Sequence, residues 1–170
     1  GGPVKMPWLG QVAGVIEAWY PGARGGPAIA SVLFGDTNPS GRLPITFPAS
    51  EAQLPRPKLD GADWVEPDFA GNPASPDDKL SADYDIEGSD VGYRWFARNG
   101  TKPLFPFGHG LSYTTFESTG LELKGLTANF TVKNTGQREG AEVAQLYLVN
   151  RAGQAKRRLA GFRRVNLAPG

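Results

Sequence analysis

The sequence has no cysteine, one histidine and one methionine in 170 residues. Disulfides and thiolate ligands are therefore excluded, and His109 alone cannot supply a histidine-based zinc centre. No metal and no cofactor is expected. No apolar run approaches the ~18 residues that cross a bilayer as a helix, so no membrane partner is expected either. Neither sign of charge dominates: 18 Lys and Arg face 17 Asp and Glu, a net +1 that gives no reason to expect nucleic acid. The single basic concentration, Lys156, Arg157, Arg158, Arg163 and Arg164, reads as the solvated face and ends of two strands. Residues 1–7 show no charged region followed by an apolar core, so no secretory leader is expected there.

What the sequence has in excess is glycine and proline, 23 and 15 residues, which favours turns and short strands over a helical bundle. Three regions follow from the patterning. In the first, residues 12–20 are nearly continuously apolar and rich in β-branched and aromatic side chains, interrupted by Glu17, as in a strand buried on both faces. A glycine-rich turn, Pro21-Gly22-Ala23-Arg24-Gly25-Gly26, leads to Pro27 in a helix's first turn. Ala28, Ile29, Val32 and Leu33 then follow at helical spacing, with Gly35 as the C-terminal cap. After the turn Asn38-Pro39-Ser40-Gly41, alternating Leu43, Ile45 and Phe47 read as a half-buried strand. The glycine spacing fits neither a dinucleotide fingerprint nor a P-loop, so a tight turn is the better reading.

Between about 48 and 83 periodicity is lost, with Pro55, Pro57, Pro67, Pro73 and Pro76 among polar residues and isolated aromatics. This is a long loop or insertion, of the kind that covers a site or an interface. Within it Trp64 is a candidate to stack on a sugar ring, against the plainer role of packing the loop onto its own protein. In the third region, Ala128, Phe130 and Val132 alternate with polar residues up to the turn Asn134-Thr135-Gly136. Residues 143–149 read as a central strand, and 159–165 as a further strand edged with arginines.

Three motif groups stand in order. They are Ala18-Trp19-Tyr20-Pro21-Gly22 with Gly25-Gly26 and Asn38-Pro39-Ser40-Gly41-Arg42-Leu43-Pro44; then Val91-Gly92-Tyr93-Arg94-Trp95-Phe96 with Leu104-Phe105-Pro106-Phe107-Gly108-His109-Gly110-Leu111-Ser112-Tyr113; then Val132-Lys133-Asn134-Thr135-Gly136 with Glu142-Val143-Ala144-Gln145-Leu146-Tyr147. Together they resemble the family 3 glycoside hydrolases, in particular the β-glucosidases. Ala23-Arg24 departs from the acidic residue that many relatives carry in the glycine-rich turn. The resemblance implies an α/β fold followed by an all-β one: residues 1–48 as the end of an α/β sandwich, 49–113 as insertion and interdomain junction, and 114–170 as the first strands of a fibronectin type III-like β-sandwich. A complete sandwich of that class takes about seven strands and about 100 residues, so this one is expected to be incomplete.

The resemblance also implies a retaining, exo-acting β-glycosidase, in which two carboxyl groups about 5 Å apart act as nucleophile and acid/base. In the relatives these come from an N-terminal barrel and from the earlier α/β sandwich, so no catalytic residue is placed in this chain and the isolated chain is expected to be inactive. The expected partners are the remaining segments of the parent enzyme and its glycoside or oligosaccharide substrate. Among the carboxylates present, Glu87 is the candidate for a place near substrate, since it stands beside Gly88 among Tyr84, Tyr93, Arg94 and Trp95. The alternative is a salt-bridge partner that fixes the junction. Residues 85–96 are expected at that junction, as a packed strand edge with Tyr93 and Trp95 mostly buried. His109, between two glycines, is expected to hydrogen-bond backbone in a tight turn. Asn99-Gly100-Thr101 and Asn129-Phe130-Thr131 match the glycosylation acceptor pattern. A rival reading of the whole chain is a non-catalytic carbohydrate-binding or structural sandwich module.

Overall fold

The computed structural model describes residues 2–57 and 83–170. Among them, two short α-helices and three 3-10 turns precede four strands arranged as two antiparallel hairpins.

The helix expected after the glycine-rich turn is present as α1, Gly25–Leu33, entered through a 3-10 turn at Gly22–Arg24. Gly25 is buried, and a Cβ there would lie 2.7 Å from the Pro21 ring, so this position admits no side chain. Pro27 lies in the first turn, where its missing N–H leaves no intrahelical bond unmade. Gly35, at φ 84°, ends the helix and donates to the Val32 carbonyl at 3.0 Å.

The buried strand expected at 12–20 does not form. These residues form no strand ladder among the described residues, and Val12, Val15 and Ile16 are exposed. A run patterned for burial on both faces needs a sheet on each side, and none lies beside it among the described residues. The stretch ends at Trp19, held at φ 48° while its N–H donates to Glu17 Oε1 at 3.0 Å. Residues 43–47 form less than a strand, a single bridge from Phe47 to Phe105, flanked by bonds from Leu43 N to His109 O and from Gly108 N to Leu43 O, both 2.8 Å. Phe47, at 1% exposure, is the centre of a small core and contacts the rings of Trp19 and Phe105.

The expected strand edge at 93–96 is instead a helix, α2, Tyr93–Arg98. Gly92 explains the difference, because its φ of 59° breaks the extended backbone and its carbonyl receives the Phe96 N–H.

The four strands are β1, Phe116–Lys124; β2, Thr127–Asn134; β3, Gly140–Arg151; and β4, Gln154–Leu167. Among the described residues, β1 pairs only with β2, and β3 only with β4. The pattern of 116–124 does not announce a strand, since Glu, Ser, Thr, Gly and Lys dilute it; Gly120, at φ 66°, sits where the β1–β2 register slips. β3 is not central as expected: it has one described partner, and Leu148 and Val149 are exposed. Asn134 closes the four strands together at one end. Only 1% exposed, its Oδ1 accepts from Thr114 Oγ1 (2.7 Å) and Gly136 N (3.1 Å), while its Nδ2 donates to the Arg138 and Leu167 carbonyls at 2.7 and 3.1 Å.

Candidate functional site

The expected substrate-side residues direct attention to the segment that precedes α2. Trp64 lies outside the described residues. Glu87 is described, and 6% exposed. Both of its carboxylate oxygens accept from one guanidinium: Arg56 Nη1 reaches Oε2 at 2.5 Å and Nη2 reaches Oε1 at 2.7 Å. Such a fork-to-fork pair is the strongest geometry an ion pair adopts. Arg56 also donates to the Asp83 carbonyl at 2.8 Å and lies over the Tyr84 ring at 5.1 Å. The hydrogen bonds from Arg56 hold the Glu87 carboxyl below its ordinary range, outweighing the desolvation that would raise it. At neutral pH Glu87 is therefore an anion, with no proton to give to a leaving group.

Its neighbours are bound in the same way. Asp90 accepts from Arg158 on β4 at 2.9 Å and lies 3.6 Å from Arg98. Arg158 also reaches the Ser89 carbonyl at 3.2 Å, and Arg98 the Glu87 carbonyl at 3.3 Å. The segment 83–90 is thus held by arginines from three directions: Arg56 from the chain just after the 3-10 turn Glu51–Gln53, Arg98 from α2 and Arg158 from β4.

The helix α2 adds aromatic contacts beside this segment. Tyr93, half-buried, accepts from the Leu159 N–H at 2.8 Å, stacks on Phe107 at 4.8 Å and meets Tyr147 edge-on at 6.0 Å. Burial raises the Tyr147 phenol above its ordinary value, and its hydroxyl donates to Gln145 Oε1 at 2.7 Å. Trp95, also half-buried, donates from its indole to the Gln53 carbonyl at 2.9 Å, beneath the Arg98 guanidinium. Neither ring forms an open platform. His109 is in a tight turn: its backbone N–H donates to the Pro106 carbonyl at 3.1 Å, and its ring stacks on Phe105.

Sequence patterning missed how the arginines of β4 act. Arg158 grips the segment 83–90, Arg157 lies over the Tyr147 ring at 5.5 Å, and Arg164 reaches Ser40 Oγ at 3.2 Å. These three are not a merely solvated face. Other ties between the two parts of the chain are equally remote in sequence. Arg42 pairs with Glu142 at 2.6 Å, Asn38 Nδ2 donates to the Glu139 carbonyl at 3.0 Å, Arg138 donates to the Gly35 carbonyl, and the Tyr113 hydroxyl donates to the Val32 carbonyl at 2.8 Å.

A cavity of about 720 Å³ opens between the hairpins, with Tyr93, Phe107, Leu121, Phe130, Gln145 and Tyr147 among its walls. Two of its polar side chains already bond within the protein. Gln145 Nε2 donates to the Gly108 carbonyl at 3.1 Å, and Glu142 is paired with Arg42. Among the described residues no group of three or more His, Asp or Glu side chains converges in a way that could hold a metal ion.

Residues 1–113 match the glycosyl hydrolase family 3 C-terminal domain. The chain belongs to glycosyl hydrolase family 3. Over its whole length this family 3 chain is 40% identical to a β-glucosidase of Rhizobium radiobacter and 38% identical to thermostable β-glucosidase B of Acetivibrio thermocellus, of which it covers 20% and 22%. Among solved structures, it resembles the β-glucosidase DesR of Streptomyces venezuelae in complex with D-glucose, at 40% identity and a TM-score of 0.70. It also resembles β-glucosidase 3B of Thermotoga neapolitana in complex with glycerol, at 32% identity and a TM-score of 0.76. In both comparisons 99% of this chain is covered, against 21% and 23% of the solved chain. The chain thus spans about a fifth of the length of the relatives it matches, within the C-terminal part of the family's architecture.

Proposed function

We propose that this family 3 chain is the C-terminal scaffold of a retaining, exo-acting β-glucosidase, holding the enzyme's parts together while other segments of the enzyme carry the nucleophile and the acid/base. The observation that carries this reading is the run of matches over this whole chain, at 36–40% identity, to about a fifth of the length of β-glucosidases. The chemistry of the junction agrees. Retaining hydrolysis needs one carboxyl that gives up and recovers a proton and a second with an unencumbered oxygen to attack the anomeric carbon. Glu87 is held anionic with both oxygens on Arg56, Glu142 is bound to Arg42, and Asp90 lies between two arginines.

In this reading 1–48 is the end of an α/β sandwich, 49–113 the junction with its insertion, and 114–170 the opening of a fibronectin type III-like sandwich. Two antiparallel hairpins with a cavity of mixed polar and apolar lining between them support the last assignment. Glu87 borders the substrate's surroundings only by fixing the segment 83–90; Trp64 keeps its proposed place as a sugar-stacking residue of the insertion. A free-standing carbohydrate-binding module is less well supported, because Tyr93 and Trp95 are engaged with Phe107 and Gln53 and present no open platform.

A chimera tests the proposal. Replacing the matching fifth of the Rhizobium radiobacter β-glucosidase with this chain is expected to give a folded enzyme that hydrolyses an aryl β-glucoside with retention. A soluble, folded chimera without that activity would contradict it, and so would one whose activity is abolished by Glu87→Gln with stability unchanged.

A further inference from the structure

We propose that Asn99 is a site of spontaneous covalent modification, at which its side-chain amide is lost and its backbone rearranges through a cyclic imide. In the reaction the Gly100 amide nitrogen gives up its proton and attacks Asn99 Cγ. A bond from Gly100 N to Cγ forms, the bond from Cγ to Nδ2 breaks, and ammonia leaves. Solvent water then opens the five-membered imide at either carbonyl, giving aspartate or isoaspartate. Water enters and ammonia departs, so no oxidant, cofactor or enzyme is needed.

The structure singles out this asparagine among seven. Asn38 and Asn72 precede prolines, whose nitrogens carry no hydrogen to release. Asn134 is buried with its amide in four hydrogen bonds. Asn129, Asn150 and Asn166 lie within β2, β3 and β4, each followed by a residue with a bulky side chain. Asn99 alone is followed by glycine. Both residues are exposed, Gly100 sits at φ 61°, and the space around its Cα is open. No neighbouring side chain packs against the Gly100 Cα to hinder rotation of the peptide.

Two hydrogen bonds oppose the reaction: Asn99 Nδ2 donates to the Trp95 carbonyl at 2.8 Å, and Gly100 N to the Ala97 carbonyl at 3.4 Å. The second is near the limit of a hydrogen bond. Both sit in the last turn of a six-residue helix, where fraying is the lowest-energy opening available. Each fraying event releases the nucleophile and the amide together. Once formed, aspartate at 99 cannot donate to the Trp95 carbonyl and adds negative charge at the helix's negative end. Isoaspartate further lengthens the backbone between α2 and Thr101, whose N–H is bonded to the Phe96 carbonyl at 2.9 Å. The product should therefore hold α2, and with it the Trp95 contact to Gln53, less firmly.

The test uses the full chain made in a bacterial host that adds no glycan, because Asn99-Gly100-Thr101 also matches an acceptor pattern that would consume the same amide nitrogen. The folded protein is incubated in mildly alkaline buffer and mapped by peptide mass spectrometry with isoaspartate detection. The expected result is that Asn99 is modified first, largely to isoaspartate. Gly100→Ala should slow the conversion severalfold, and Asn99→Gln, which tolerates the existing turn, should abolish it. Amide exchange of α2 should rise in step with conversion. If Asn99 stays intact in the folded chain while the urea-unfolded chain converts it readily, or if another asparagine is modified first, the proposal is overturned.

Discussion

The two hairpins have the same topology and opposite surroundings. β3–β4 lies against the first part of the chain along much of its length: Arg42 binds Glu142, Gln145 holds the Gly108 carbonyl, Tyr93 accepts from Leu159, Arg158 grips Asp90 and Arg164 reaches Ser40. β1–β2 is tied mainly at one end, where Thr114, Thr115, Phe116 and Asn134 meet, and runs out into exposed side chains such as Leu121, Leu123 and Leu126. The difference teaches that pairing alone does not bury a hairpin. Each backbone ladder satisfies its own hydrogen bonds, but burial depends on what lies across from it, and for β1–β2 little does among the described residues.

The largest effect should come from the one buried tie of the exposed hairpin. Asn134→Ala removes four hydrogen bonds and leaves the Thr114 hydroxyl and the Arg138 and Leu167 carbonyls short of partners, a loss of about 2–4 kcal/mol in denaturant unfolding. A change below 1 kcal/mol would mean that Asn134 is not what joins the hairpins. On the packed hairpin, Arg42→Ala leaves Glu142 without its partner and should cost about 1.5–3 kcal/mol. Tyr93→Phe keeps the stack on Phe107 and loses only the acceptor for Leu159, so about 0.5–1.5 kcal/mol is expected.

Glu87→Gln sharpens the comparison through its pH dependence. The folded-state pKa of Glu87 is depressed, so its stabilisation is fully present above the ordinary carboxylate range and is lost as pH falls through the folded-state value. Thermal midpoints of Glu87→Gln and of the unaltered chain should differ at neutral pH and converge in acid. A constant gap at all pH values would refute the ion pair as its source. The smallest effect is expected from Leu123→Ser at the free end of β1–β2, within about 0.5 kcal/mol.

Much of this architecture was legible in the sequence where the information is local. Pro27 and Gly35 bracket α1, Asn134-Thr135-Gly136 ends β2, and the alternation of 128–132 falls within that strand. What was hidden depends on distant residues or on very short windows. Tyr93 and Trp95 alternate with Gly92 and Arg94 as in a strand, but the positive φ of Gly92 breaks the extended backbone and the next six residues turn as a helix. The apolar run 12–20 carries the composition of a buried strand, but a strand forms only where a neighbour offers a ladder. The site was the least legible part. Glu87 could be picked out as unusual, yet its partner Arg56 stands 31 positions away, and its tie to β4 runs through Ser89, Asp90 and Arg158, some 68 positions apart.

The central claim is that this chain is scaffold and not catalyst, and the most direct measurement is an aryl β-glucoside assay of the purified 170-residue protein. No turnover above the uncatalysed rate is predicted, for the unaltered chain and for Glu87→Gln alike. Turnover by the pure chain that disappears on Glu87→Gln would contradict the account and make that carboxylate catalytic.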